Sequence, residues 1–347
     1  MEIFSVDDNK ENKRFYSENY NYDFNKITGF FKRWGHSENE DPFYSPFGPE
    51  ILDIEISTKC AGVNGKLCAY CYKSNSPIGH NMSFKDFKII IDKVNQNNQL
   101  TQIALGLGST GEENPHIWDM CRWLREERGI IPNGTVAVIT DETAEKIAKW
   151  FGACAISNHG DKDICYDSVK KLTDLEMKQV NIHQVIHSNN YDEILKMMQD
   201  MLHDAKLKKM NALVLLSLKR KGRASCNKFQ QLDQEYFNNI CKFSFENKLS
   251  IGFDSCSAHK VYNYINLNLE YDKFRQYIEP CEGGLFSAYI NVKGEFYPCS
   301  FAEGHYDNFK NVIVCNNFID DIWNEKVLNE YRDESLNLNR ECLFYKI

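Results

Sequence analysis

The sequence predicts an α/β fold: a full or partial (β/α) barrel, or a doubly wound sheet, with a small cysteine-bearing appendage after it. Three observations point there. Short apolar runs alternate with amphipathic stretches six times between residues 51 and 250, and a further run follows. The runs are apolar along most of their length, as in a parallel sheet covered by helices. Past residue 250 the alternation ends, and cysteines recur at 256, 281, 299, 315 and 342.

Each element has its own signal. "ILDIEIST" (51–58) reads as the first strand, and a Gly-containing loop with three cysteines follows it. "SFKDFKIIIDKVNQ" (83–96) opens on a serine able to cap a helix, and its apolar residues recur at helical spacing. "QIALGLG" (102–108) is a strand ending in glycines, and "PHIWDMCRWLREE" (115–127) a helix with Pro at its start. Strands "TVAVIT" (135–140), "ACAIS" (153–157), "VNIHQVI" (180–186) and "NALVLLSL" (211–218) are followed in turn by helices over 141–151, 166–178, 191–206 and 230–247. "LSIGFDS" (249–255) is the further strand, and "FSAYINVKGEFYPCSF" (286–301) a hairpin turning at "VKGE". Residues 1–50 are polar and aromatic without a clear period, and are expected to form a covering segment. In either parallel architecture ligands sit at the C-terminal ends of the strands, where the three-cysteine loop lies.

Composition narrows the function. The 347 residues carry a formal net charge of −8, which argues against broad nucleic-acid binding. No apolar run is long enough to span a membrane. The N-terminus "MEIFSVDDNK" has no apolar core of a secretory signal, so the expected location is the cytoplasm. Thirteen cysteines in a reducing compartment are not expected to pair as disulfides. Cys121, Cys154, Cys165, Cys226 and Cys241 read as scattered small residues of core or surface. The clustered cysteines need another account.

Cys60, Cys68 and Cys71 have the spacing C-x7-C-x2-C. A structural zinc site takes four ligands, and His80 is a candidate fourth. Three thiolates also suit a four-iron cluster with one iron left open. With Tyr70 before its last cysteine and six β/α units after the first strand, the loop resembles the signature of radical S-adenosylmethionine (SAM) enzymes. Their usual spacing is C-x3-C-x2-C, so "AGVNGKL" carries four extra residues. The resemblance covers residues 51–347 and implies a partial (β/α)6 TIM-like barrel over 51–250. It also implies a [4Fe-4S] cluster whose open iron binds SAM. Reductive cleavage of SAM would yield a 5′-deoxyadenosyl radical that removes a hydrogen atom from the substrate. Tyr70 would then lie against the adenine. Gly106 and Gly108 of "GLGSTGEE" would meet the methionine amino group, in a register the sequence leaves open against Gly111-Glu112. Ser157, Asn181 and His183, at or near strand ends, would reach the ribose and carboxylate.

A second set has the form C-x12-G-x4-C at Cys281, Gly294 and Cys299. This resembles the opening of the SPASM auxiliary-cluster domain and its shorter relative, Twitch. The resemblance implies a small auxiliary iron–sulfur domain over 251–347, with Cys256 and Cys342 completing four ligands and Cys315 in reserve. The longer SPASM pattern adds C-x2-C-x5-C, absent here, so one auxiliary [4Fe-4S] cluster is expected. "KRKGR" (219–223) is either a solvated loop or a site for a carboxylate or an acidic electron donor such as flavodoxin or ferredoxin. The family implies oxygen-sensitive chemistry, most often peptide or protein modification. A small metabolite such as a nucleoside or sugar is the alternative substrate. A non-catalytic protein stapled by zinc at both cysteine sets is the alternative class. Glu112, Asp254 and Glu282 neighbour the motifs and are candidates for proton transfer.

Overall fold

The computed structural model describes residues 2–226, 228–305 and 310–347. Its N-terminal segment forms a meander of four antiparallel strands: β1 (Ile3–Asp8), β2 (Asn12–Ser17), β3 (Asn21–Asn25) and β4 (Phe31–Trp34). The strands are short and each buried aromatic stands beside a charged or amide residue, which is why no period was legible. Asn9 turns the first hairpin by accepting from the backbone N–H of Glu11 and Asn12. Phe15, Tyr20, Tyr22 and Phe24 form a core with Phe47, Ile131, Leu285 and Phe286. The sheet packs on the chain entering the central strands: Tyr22 donates to Gln99 O at 2.7 Å and Lys13 to Leu100 O at 2.7 Å. It therefore covers the end of the molecule opposite the three-cysteine loop.

Seven parallel strands follow: β5 (Ile51–Glu55), β6 (Gln102–Gly106), β7 (Ile131–Val136), β8 (Cys154–Ser157), β9 (Val180–Ile186), β10 (Ala212–Ser217) and β11 (Ile251–Phe253). Between them run α1 (Phe84–Val94), α2 (Ile117–Glu127), α3 (Asp141–Trp150), α4 (Lys162–Asp174), α5 (Tyr191–His203) and α6 (Gln234–Asn247). Beyond β11 come α7 (Ala258–Leu267), the hairpin β12 (Ser287–Ile290) and β13 (Phe296–Tyr297), and α8 (Lys326–Asn337). The strand order is β11-β10-β9-β8-β7-β6-β5-β12-β13. Among the described residues β11 and β13 end the sheet without pairing to each other, so the (β/α)6 barrel is partial and open. The expected boundary at residue 250 falls immediately before β11, which pairs with β10. β12 extends the opposite side by pairing in parallel with β5.

Alternation along β5 sorts its residues. Leu52 and Ile54 are fully buried with Phe87, Ile90, Ile91 and Val94 of α1; each such side chain contributes about 1.5–3 kcal/mol. Asp53 and Glu55 point the other way, into the barrel. Several boundaries differ from expectation, among them the starts of β7, α4 and α6, the last of which begins at Gln234. β7 begins at Ile131, four residues early, because Pro132 and Gly134 mask the strand in the sequence. α4 begins at Lys162, where Asp161 accepts from Ile164 N. No helix of the described residues is long and apolar enough to cross a membrane.

Candidate active site

The barrel opens on a cavity of about 630 Å³, and all seven cysteines expected as ligands line it. Cys60, Cys68 and Cys71 come from the loop after β5. The four extra residues fold into a turn of their own: Val63 and Lys66 exchange backbone hydrogen bonds of 3.1 and 2.9 Å across Asn64-Gly65. Both central residues have positive φ, 51° and 73°, the conformation Asn-Gly favours. Gly62 lets the turn close, since a Cβ there would stand 2.1 Å from Lys66 O. The insertion is thus set aside, and Cys60 and Cys68 still face one cavity.

The basic run 219–223 clamps this loop and is not a free solvated face. Arg223 donates from Nε to Cys68 O and from Nη1 to Asn75 O, both at 2.8 Å. Gly222, at φ 59°, lies so close that a Cβ would meet Tyr72 O at 2.3 Å. Lys221 turns to the second cysteine set and donates to Ser300 O at 3.1 Å and Glu303 O at 2.8 Å. Lys219 is buried and pairs with Asp254. A docking role for this run as a whole is not what the geometry offers.

Tyr70 sits in an aromatic group with His159, His187 and Phe229, its hydroxyl donating to Asn158 O at 3.0 Å. Gly106, Gly108 and Ser109 line the cavity; Gly111-Glu112 do not. Glu112 is held outside by Trp118 at 2.8 Å and Thr143 at 2.9 Å. A Cβ on Gly108 would stand 2.4 Å from both Lys59 O and Glu113 Cδ. Ser109 Oγ and Glu113 Oε2 are buried, and no described group hydrogen-bonds to either. A cradle that only glycine permits, edged by orphaned acceptors, fits a polar amino-acid portion of a ligand.

Ser157 and His183 are register partners on β8 and β9, and both line the cavity. Burial lowers the pKa of His183 to about 4, with Asp254 acting the other way, so the ring is neutral at neutral pH. Asn181 shares the parity of His183 but does not line the cavity. It lies at the far end of β9, about 6–7 Å lower along the strand, where it accepts from Asn211 at 2.9 Å. His80 is exposed and outside the cavity, so it does not complete the first set.

In the second set, the turn at Gly294 (φ 83°) folds β13 back on β12, with Tyr289 opposite Tyr297. Cys281 and Cys299 thereby stand at one end of the hairpin, where a Cβ on Gly283 would lie 3.3 Å from Cys299 Cβ. Residues 281–343 match the SPASM family, an iron–sulfur cluster-binding domain. Cys256, just after β11, lies outside the SPASM match but is brought to the same wall. The thiol pKa of Cys256 is raised by burial and further by Cys281 and Cys342. That of Cys299 is pushed up to about 12 by burial, with Cys281 and Cys342 adding. Cys342 therefore lies near Cys256 and Cys299. Cys315 does not line the cavity; its Sγ reaches Val312 O at 3.2 Å. In the first set, burial pushes the Cys68 thiol up to about 12. Such thiols become ligands when a metal supplies the compensating positive charge. Thiolates about 2.3 Å from one tetrahedral zinc would lie roughly 4 Å apart. No group of three or more His, Cys, Asp or Glu among the described residues is arranged around a single ion. A four-iron cluster spreads its cysteines more widely.

The whole fold is similar to that of SuiB from Streptococcus suis. SuiB bound to precursor peptide SuiA aligns with a TM-score of 0.70 at 14% identity, over 94% of this chain and 90% of that one. SuiB bound to S-adenosylmethionine aligns with a TM-score of 0.60 at 15% identity, over 82% of this chain and 68% of that one. No curated protein matches the chain in sequence. At these identities the likeness is one of fold.

The sequence reading missed several residues of the cavity wall: Asp53, Glu55, Tyr72, Lys73 and Tyr289. For Asp53 and Glu55 a signal existed, because charged residues interrupt an otherwise apolar strand.

Proposed function

We propose that this chain is a radical SAM enzyme that modifies a peptide. Cys60, Cys68 and Cys71 would hold a [4Fe-4S] cluster that binds SAM; Cys256, Cys281, Cys299 and Cys342 would hold one auxiliary cluster. With these groups bound and an electron from a flavodoxin- or ferredoxin-type donor, the site supplies a 5′-deoxyadenosyl radical, which takes a hydrogen atom from the substrate. The observation that carries the reading is the convergence of both cysteine sets on one cavity. Tyr70 offers its ring to the adenine, and Gly106, Gly108 and Ser109 offer backbone and hydroxyl to the methionine portion. Ser157 and neutral His183 present hydrogen-bonding groups from the neighbouring strands. Arg223 and Lys221 tie the two cysteine loops to one strap and so fix their spacing. The peptide substrate is supported by the fold shared with SuiB, which binds a precursor peptide.

The test is anaerobic reconstitution. The wild-type chain should bind about eight irons, as two four-iron clusters require, and release 5′-deoxyadenosine from SAM with dithionite. Cys68→Ala should abolish that release. Two zinc ions in place of iron, or release unchanged in Cys68→Ala, would refute the reading.

A further inference from the structure

Among the described residues the carboxylates on the cavity wall each pair with a cation, with one exception. Lys219 pairs with Asp254. Lys73 pairs with Glu55 at 3.2 Å and with Glu303. Glu282 accepts from Arg33 at 3.2 Å. Asp53 has no ion pair and no hydrogen bond among the described residues. Its side chain is exposed to the cavity, where water solvates it until a ligand fills the space. The charge that acts on it is Glu282, itself negative, and together with burial this raises its pKa to about 6. At neutral pH it is mostly ionised, and a ligand that fills the cavity without meeting this charge would desolvate it at a cost.

Its neighbours shape a slot. Ala104 stands in register on one side, and a methyl group leaves the space before the carboxylate open. Tyr289 stands in register on the other. An ammonium already lies on the Tyr289 ring, that of Lys73 at 5.1 Å, but its two carboxylate partners hold it away from Asp53. A carboxylate beside an aromatic wall suits an alkylammonium, whose stem packs on the ring while its head meets the charge.

We propose that Asp53 anchors a primary ammonium group of the substrate, a lysine-type side chain entering the cavity beside the cysteine sets. The proposal rests on the peptide-modifying reading and specifies its substrate class. Asp53 is a binding residue in it, and the ammonium is an address for the substrate and need not be the group that reacts.

The test uses the full, anaerobically loaded chain and two probes, Nα-acetyl-L-lysine methylamide and Nα-acetyl-L-norleucine methylamide, titrated by saturation-transfer NMR. Wild type should bind the lysine probe about tenfold more tightly, the worth of one charge-assisted hydrogen bond. Asp53→Asn should lose that preference, and Asp53→Glu should keep part of it. A thermal melt of each variant checks folding, which loss of an unpaired charge should not impair. Equal binding of both probes to wild type would overturn the proposal. So would a preference that survives in Asp53→Asn, or no binding of the lysine probe up to roughly 100 mM. Iron content and 5′-deoxyadenosine release of the wild type are read separately. They can succeed while the probes fail, which would sink the ammonium site and leave the proposed function standing.

Discussion

Glu50 and Arg33 meet where the N-terminal sheet joins the SPASM hairpin. Glu50 is 1% exposed, accepts from Tyr20 and Arg33, and has its pKa raised to about 7, chiefly by burial, against the pull of Arg33. Arg33 also lies 3.5 Å over the Phe286 ring and bonds Glu282. Arg33→Met would leave buried Glu50 and half-buried Glu282 without their ion-pair partner, at a cost of about 3–5 kcal/mol. The sign with pH follows from the raised pKa. The folded state holds a proton on Glu50 between its ordinary 4.5 and about 7, so stability from this group falls as pH rises through that window. Without Arg33 the carboxyl is raised further. The deficit measured by urea denaturation should therefore be largest above neutrality and shrink toward acid pH. Asp53 gives the complementary case. Its pKa is raised from 3.8 to about 6, so its charge opposes folding at neutral pH. Asp53 is exposed to the cavity, which discounts the effect, so Asp53→Asn should raise Tm only slightly at neutral pH, and the gain should vanish in acid, where the wild-type carboxyl is protonated in both states.

At the scale of elements, the six β/α units were legible because each strand is apolar and each helix amphipathic, a pattern that local sequence carries. β7 was displaced because a proline and a glycine inside a central strand read as a turn. The N-terminal sheet was not legible at all: its strands hold four to six residues and bury Lys13 and Asn21 as well as aromatics. The cysteine spacing announced both sets, but the strap between them was hidden, since "KRKGR" owes its inward turn to carbonyls far away in sequence. Gly222 is the point where that strap can be tested. At φ 59° and with Tyr72 O so near, any side chain must push the strap off the three-cysteine loop. Gly222→Ala should lower iron loading at the first set and reduce 5′-deoxyadenosine release severalfold, while the second set keeps its iron. Iron analysis with Mössbauer spectroscopy distinguishes the two sets.

At the scale of the molecule, three segments distant in sequence close around one space. β5 lies between β6, which follows it through α1, and β12, which comes more than two hundred residues later. That second pairing carries Cys281 and Cys299 to the barrel, and α7 and the C-terminal residues bring Cys256 and Cys342 beside them. No local pattern predicts such closure; it depends on which sheet edge is free once the barrel has formed. It also separates the two candidate ligands in space. Cys315 packs toward α1, where its carbonyl takes Lys93 Nζ at 2.6 Å, and Cys342 faces the cavity. Cys315→Ala should leave the iron content unchanged. Cys342→Ala should lose up to about half of it, one four-iron cluster of two, and should lower Tm, because a metal that binds only the folded chain stabilises it by mass action. The loss should spread beyond the hairpin. Leu285 and Phe286 lead into β12 and also belong to the N-terminal core with Tyr20 and Phe15. Hydrogen exchange of Cys342→Ala should therefore quicken in β12 and in β2–β3 together, while α4 and β9, on the far side of the barrel, keep wild-type protection. Quickening confined to the last residues of the chain would mean that the N-terminal sheet is held by the barrel alone.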